Sequence, residues 1–300
     1  MREQSAPAAG APPAVDRGET VLSRRPSFWR RLRRSRLAAG GLVVVTLVVL
    51  TALFAPWLSP FDPFKHDTTR LLEPPARPRI FGTDQYGRDV FSRVVWGSRF
   101  SLQVGASALV LGGVFGILIG LVSGYFGRAV DHILSRVIDT TMSFPSIIVA
   151  IAIVGVLRGG TQSIIIALGF AIMPRFARVV RSQVLTLKVR DYVDAARAVG
   201  AGHLRILARH LLPNSLSPII VLATLYLPYA ILVESSLSFL GIGVSPDTPT
   251  WGRIIADGRE YLQVAPWVST LPGIAITLTS IGFNLLGDGL RDILDPRLRV

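Results

Sequence analysis

Six stretches of the chain are apolar and free of charge over 16 to 28 residues: 37–55, 100–127, 140–157, 159–174, 211–233 and 261–287. A helix that crosses about 30 Å of hydrocarbon needs about 20 residues. The fourth stretch is short, so its helix must begin in the preceding turn or be completed by residues 176–180. Only Arg158, Gly159 and Gly160 separate it from the third, which predicts a tight helical hairpin. The pattern predicts an all-α membrane protein with six transmembrane helices. The first occupies 37–57, an external segment fills 58–99, and five helices form a core over 100–290. The tails are 1–36 and 291–300.

Charge then orients the spans. Net charge is +13, which in a soluble protein would suggest nucleic acid. No nucleic-acid motif accompanies it, and the basic residues mass at the ends of apolar runs. Segments 1–36, 125–136, 174–213 and 288–300 hold 22 Lys and Arg, against 10 in 56–99, 158–161 and 234–263. Cytoplasmic loops carry the basic excess, so both termini are expected inside. The first apolar run follows a 36-residue tail and lacks a small-residue cleavage site, so it is read as a retained anchor rather than a signal peptide. The tail is expected to be largely disordered, with Phe28, Trp29 and Leu32 making a short amphipathic piece at the membrane surface.

Composition removes several chemistries. There is no cysteine, so disulfides, Cys-ligated metals and thiol nucleophiles are excluded. The four histidines form no H-x-x-x-H pair. Gly112, Gly116, Gly120 and Gly124 fall four apart in the second span, a spacing that lets helices approach closely. Packing inside the bundle is the favoured reading over a subunit interface. Pro145, Pro174, Pro218, Pro228, Pro266 and Pro272 mark places where helices bend. Glu234, at the edge of the fifth span, is either part of a translocation pathway or an acid at headgroup level. Asp139 is read as interfacial. Trp251, Arg253, Ile254 and Ile255 suggest an outer interfacial helix facing delivered solute.

The segment 191–213, DYVDAARAVGAGHLRILARHLLP, is polar and basic and so lies inside. It predicts two short helices around a break at Gly200. Asp191 is placed as a cap, with Asp194 as the capping-box acid. Ala195, Ala196 and Val199 give a small, smooth face suited to a groove on another protein. Arg205 and Arg209, at i and i+4, would equally suit a helix lying on headgroups.

This segment resembles the EAA loop of binding-protein-dependent ABC importers. Asp194-Ala195-Ala196 is followed by three residues and Gly200, and nine more lead to His210, Leu211, Leu212 and Pro213. The spacing is the family's. Asp194 stands where the family has Glu, and His210 where it has Ile. Residues 81–89 (FGTDQYGRD), 234–243 (ESSLSFLGIG) and 284–292 (NLLGDGLRD) are similar to C-type dipeptide and oligopeptide permease subunits.

The resemblance implies a type I ABC importer permease fold in a bacterial inner membrane. It implies a second homologous permease, two ABC ATPase subunits carrying ATP and Mg²⁺, and an extracytoplasmic solute-binding protein. Asp194, Ala195, Ala196, Gly200, Arg205, His210, Leu212 and Pro213 would couple to an ATPase. Peptide is the expected solute, with nickel or glutathione as alternatives on the same architecture. The chain has no G-x-x-x-x-G-K-[ST] loop, so it is expected to bind no cofactor and hydrolyse no ATP itself. An ion-coupled secondary transporter would usually carry internal repeats and several pathway acids; here no repeat is visible and Glu234 stands alone.

Overall fold

A computed structural model describes residues 35–294. The expectations for the N-terminal tail fall outside these residues, except at Ser35 and Arg36, as do those for 295–300. The described residues form helices and turns, with two isolated bridges and no strand.

Helix α1 (Arg36–Leu53) starts on Ser35, whose hydroxyl accepts the Ala38 amide. A short α2 (Ala55–Leu58) follows, with Pro56 in its first turn, where the missing N–H costs nothing. Helix α3 (Val90–Phe126) begins ten residues earlier than the apolar run suggested, capped by Asp89. At 37 residues it is about 55 Å long, so its first turns stand above the membrane core. Residues 90–99 therefore belong to this helix rather than to a loose external segment.

The third span is the main departure. In place of one helix over 140–157 there are two, α4 (Arg128–Met142) and α5 (Ser146–Val156), bent by 92°. Pro145 lacks an N–H and drives Phe144 away from helical angles, so the ladder stops there. The expected hairpin is present: Arg158, Gly159 and Gly160 all adopt positive φ and deliver the chain into α6 (Thr161–Leu187). That helix runs straight through Pro174, which completes the short fourth span and carries Arg175 into it.

Next come α7 (Asp191–Ala198), α8 (His203–Ile206), a π turn (Leu207–Leu211) and α9 (Leu212–Phe239). The outer helix α10 (Trp251–Gly258) and a 3₁₀ turn (Arg259–Tyr261) precede α11 (Trp267–Leu294). The last span thus starts later than expected, because 259–261 completes the outer helix and Pro266 sets a new start. Among the described residues five helices are long and apolar enough to cross a membrane, six if the bent α4–α5 pair is counted as one broken span.

The glycine stripe packs inside the bundle. A Cβ at Gly116 would lie 2.5 Å from the Met173 carbonyl oxygen, and one at Gly120 would lie 2.6 Å from that of Ala177. Gly112 meets the Gly169 carbonyl and Gly124 meets Val184. Helices α3 and α6 are thereby joined backbone to backbone, and α1 lies along α11 through Gly41, Gly282 and Gly289. Leu121, Phe176, Val180, Val184, Ile206 and Leu211 fill the core toward the basic end. Outward faces stay apolar, with Leu47, Leu53, Val110 and Leu118 exposed as they would be to lipid.

Candidate functional site

At the basic end the chain builds a two-helix platform. Helix α7 has Asp191 and Asp194 in its first turn, where acids suit the helix dipole. The cap itself is Arg190, with no side-chain hydrogen bond, so the expected capping box is absent. Asp194 instead pairs with Arg197 at 2.9 Å, and both are exposed. The helix ends in a Schellman motif: the Ala201 amide returns to the Ala196 carbonyl at 3.0 Å and that of Gly200 to Arg197 at 2.9 Å. Gly200 sits at φ +79°, a left-handed conformation that glycine adopts without steric penalty, and open space surrounds its Cα.

The expected small face divides in two. Ala196 turns inward beside Val193, while Ala195 and Val199 point out. Helical geometry separates adjacent positions by about 100°, so Ala195 and Ala196 cannot share one face. Val193, Ile206 and Leu211 hang the platform from the core. Arg205 and Arg209 are exposed. His210 lies beside Tyr192, ring centroids 6.3 Å apart, and its carbonyl accepts from Asn214. Pro213 has no N–H to return to Arg209, and the turn ahead of Leu212 and Pro213 is the wide π form.

Braces that sequence reasoning missed fix this platform. The Tyr125 hydroxyl lies 2.8 Å from His203 Nδ1, and the Lys188 ammonium donates to the Gly124 carbonyl at 2.7 Å. Arg181 grips Asp131 through two nitrogens at 2.5 and 2.7 Å, joining α6 to α4. Asp139 is exposed and pairs with Arg178, as an interfacial acid would.

The opposite end is closed by a different device. Arg88 Nε donates to Asp84 at 2.6 Å, and Arg88 and Arg93 reach Asp257 of α10 at 3.2 and 3.5 Å. Asp84, Arg88 and Arg93 are buried, and the Asp257 side chain is largely covered. Trp267 Nε1 donates to the Thr83 carbonyl, and Trp251 Nε1 to that of Val94. The FGTDQYGRD motif is thus a knot tying the external segment to α10 and α11. At the surface of this segment Asp67 accepts from Thr69, which holds its carboxyl below the ordinary carboxylate range.

Glu234 is buried within the chain. It is 1 % exposed, and its Oε1 accepts from Ser238 at 2.8 Å and from Thr250, the α10 cap, at 2.9 Å. Helix α10 likewise packs down on the bundle, burying Trp251 and Ile254, instead of presenting them outward.

With this geometry established, the comparisons assign the chain. Residues 116–300 match the family described as the binding-protein-dependent transport system inner membrane component. The chain belongs to this family of ABC importer permeases. Residues 24–75 match the N-terminal transmembrane domain of oligopeptide transport permease C. A dipeptide transport system permease protein of Alkalihalophilus pseudofirmus is 42 % identical, covering 98 % of this chain and 96 % of that one. A di/tripeptide permease protein of Pseudomonas aeruginosa is 41 % identical, over 96 % and 97 %. A glutathione permease protein of Pectobacterium atrosepticum is 39 % identical, over 95 % of each. A chain of the inward-facing MetNI methionine ABC transporter has the same fold, with TM-score 0.51 and 22 % identity, over 66 % of this chain and 96 % of that one. This permease is therefore an all-α, multi-pass protein of the bacterial inner membrane and a subunit of an ABC importer.

Proposed function

We propose that this permease translocates di- or oligopeptides, as half of a pore completed by a second, homologous permease. Two ATPase subunits bind ATP and Mg²⁺ at the inner face, and a solute-binding protein delivers peptide outside. Both termini face the cytoplasm, and the chain itself hydrolyses no ATP. Full-length relatives named for dipeptides, di/tripeptides and glutathione support a small peptide as cargo.

The observation that carries the mechanism is the platform of α7 and α8. Asp194, Ala195, Gly200 and Arg205 stand exposed at the basic end, while Ala196, Ile206 and Leu211 root it in the core. An ATPase that closed on this platform would move α9 through the π turn leading to Leu212 and Pro213. That is rigid-body gating, with ATP binding selecting one of two pore states.

Gly200→Glu tests this directly. An added Cβ meets nothing in this chain, but at φ +79° any side chain adds about 1–2 kcal/mol of backbone strain, so Gly200→Ala serves as the control for strain and membrane abundance is measured for both variants. A carboxylate pressed into an ATPase cleft should weaken docking about 100-fold and abolish labelled dipeptide uptake. Normal uptake together with normal ATPase co-purification would remove the coupling role from 191–213.

A further inference from the structure

Three helices bring polar groups together near the middle of the bundle. Arg175 follows Pro174 in α6, about 21 Å along from Thr161. Tyr226 and Tyr229 flank Pro228 in α9, about 15 to 20 Å from the end at Phe239. Ser146 opens α5 at the break in the third span, about 15 Å from Val156. If these helix ends lie at the face of a hydrocarbon core about 30 Å thick, the groups fall about 15 to 21 Å into it.

The Arg175 guanidinium lies over both tyrosine rings, 5.5 Å from the Tyr226 centroid and 5.4 Å from that of Tyr229. Ser146 Oγ lies 2.5 Å from the Tyr229 hydroxyl. The other two arginines toward the basic end of α6 have acids: Arg178 has Asp139 and Arg181 has Asp131. Among the described residues Arg175 meets no carboxylate within 4.0 Å. A cation at membrane depth balanced only by aromatic faces is costly, and such groups mark solute pathways. Stacking occupies the faces of a guanidinium and leaves the N–H groups at its edge free to grip an anion in plane. A cavity of about 40 Å³ opens beside Arg175 and Ser146, large enough for one carboxylate but not for a peptide.

We propose that Arg175, with the hydroxyls of Tyr226, Tyr229 and Ser146, forms a way-station that accepts the carboxylate of the passing solute. This rests on the reading of the chain as a small-peptide permease. The chain supplies one wall of the station and the second permease closes it. The tyrosine faces hold the charge while the site is empty, so the anion is bound loosely enough to leave.

The test uses the complete transporter in liposomes. Uptake is compared for a labelled dipeptide without acidic side chains and for its C-terminal amide, each at a concentration that loads the binding protein. The ratio of the two is then compared between wild type and Arg175→Gln. Because both use the same binding protein, its own preference cancels. Arg175→Gln should lower the acid-to-amide ratio roughly tenfold, the scale of a charge-assisted hydrogen bond. Arg175→Lys should keep most of the preference, and Tyr229→Phe should reduce it about two- to threefold. An unchanged ratio in Arg175→Gln, at equal ATPase recovery, overturns the proposal. If that variant fails to assemble, Tyr229→Phe combined with Ser146→Ala decides, since it keeps the stacking; an unchanged ratio there overturns it as well. No uptake of either peptide by wild type would instead bring down the peptide reading and this inference together.

Discussion

The two ends of the bundle use charge in opposite ways. At the end away from the platform, the buried Asp84, Arg88 and Arg93 are bonded to one another and to Asp257, across more than 150 residues of sequence. At the basic end, Asp194 and Arg197 form an exposed i,i+3 pair, and Val199 and Leu204 stand 84 % and 78 % exposed. The knot finds its opposite charges within the chain. The platform leaves apolar side chains in the open at the end proposed above to meet the ATPases. A self-contained end can hold its geometry while a binding protein comes and goes. An incomplete end has its own energetics coupled to a partner, as a transmission element requires.

Breaking the outer network should have the largest effect on the chain itself. Asp84→Ala leaves Arg88 and Arg93 buried with only Asp257 between them. Removing one member of a buried ion pair costs about 3–5 kcal/mol. Thermal unfolding of the purified transporter should shift strongly downward, or the subunit should vanish from the membrane. Asp194→Ala at the inner end, losing an exposed pair worth about 0–1 kcal/mol, should leave the transition nearly in place. Equal shifts in the two variants would erase the contrast.

The α3–α6 seam lies between these extremes. Gly116→Leu drives a side chain into the Met173 carbonyl and Phe176. Overpacking of this kind costs about 1–3 kcal/mol. Gly40→Leu, where an added Cβ meets nothing, provides the control. Protease sensitivity of the subunit in membrane vesicles should rise for the first and stay unchanged for the second. A neutral Gly116→Leu would mean that the two backbones need not touch.

Much of this was legible in the chain and some was not, for physical reasons. Uncharged runs locate the spans because a lipid-facing helix excludes charge. The four-residue glycine spacing foretells the seam, and the Asp194 to Pro213 spacing locates the platform. Pro145 was visible too, but Pro174, Pro218, Pro228 and Pro272 stay inside helices, so proline alone does not say which helix breaks. The early start of α3 was hidden because residues 90–99 carry charge, and Asp257, which pairs with Arg93, lies 164 residues away. The burial of Glu234 was hidden for the same reason: Thr250 reaches it only once α10 folds down. Arg175 fell among the basic residues of 174–213 in the charge count, and only completion of the fourth span by 176–180, one of the two readings open, carries it into α6.

The smallest effect on the chain belongs to Leu204, and it sharpens the comparison most. This side chain sits on α8, beyond the Gly200 turn, with most of its surface in the open. Substitutions at such sites change stability by only about ±0.5 kcal/mol, so Leu204→Ser should leave the unfolding transition of the subunit unmoved. If an ATPase covers the platform, the lost burial of a leucine is about 2 kcal/mol, which corresponds to about 30-fold weaker docking. Co-purification of the ATPases should then fail at dilutions where wild type still holds them, while the permease remains folded and abundant. A lowered transition would show that Leu204 supports the chain itself. Undiminished ATPase recovery at every dilution would show that the exposed apolar surface on α8 faces something other than the motor.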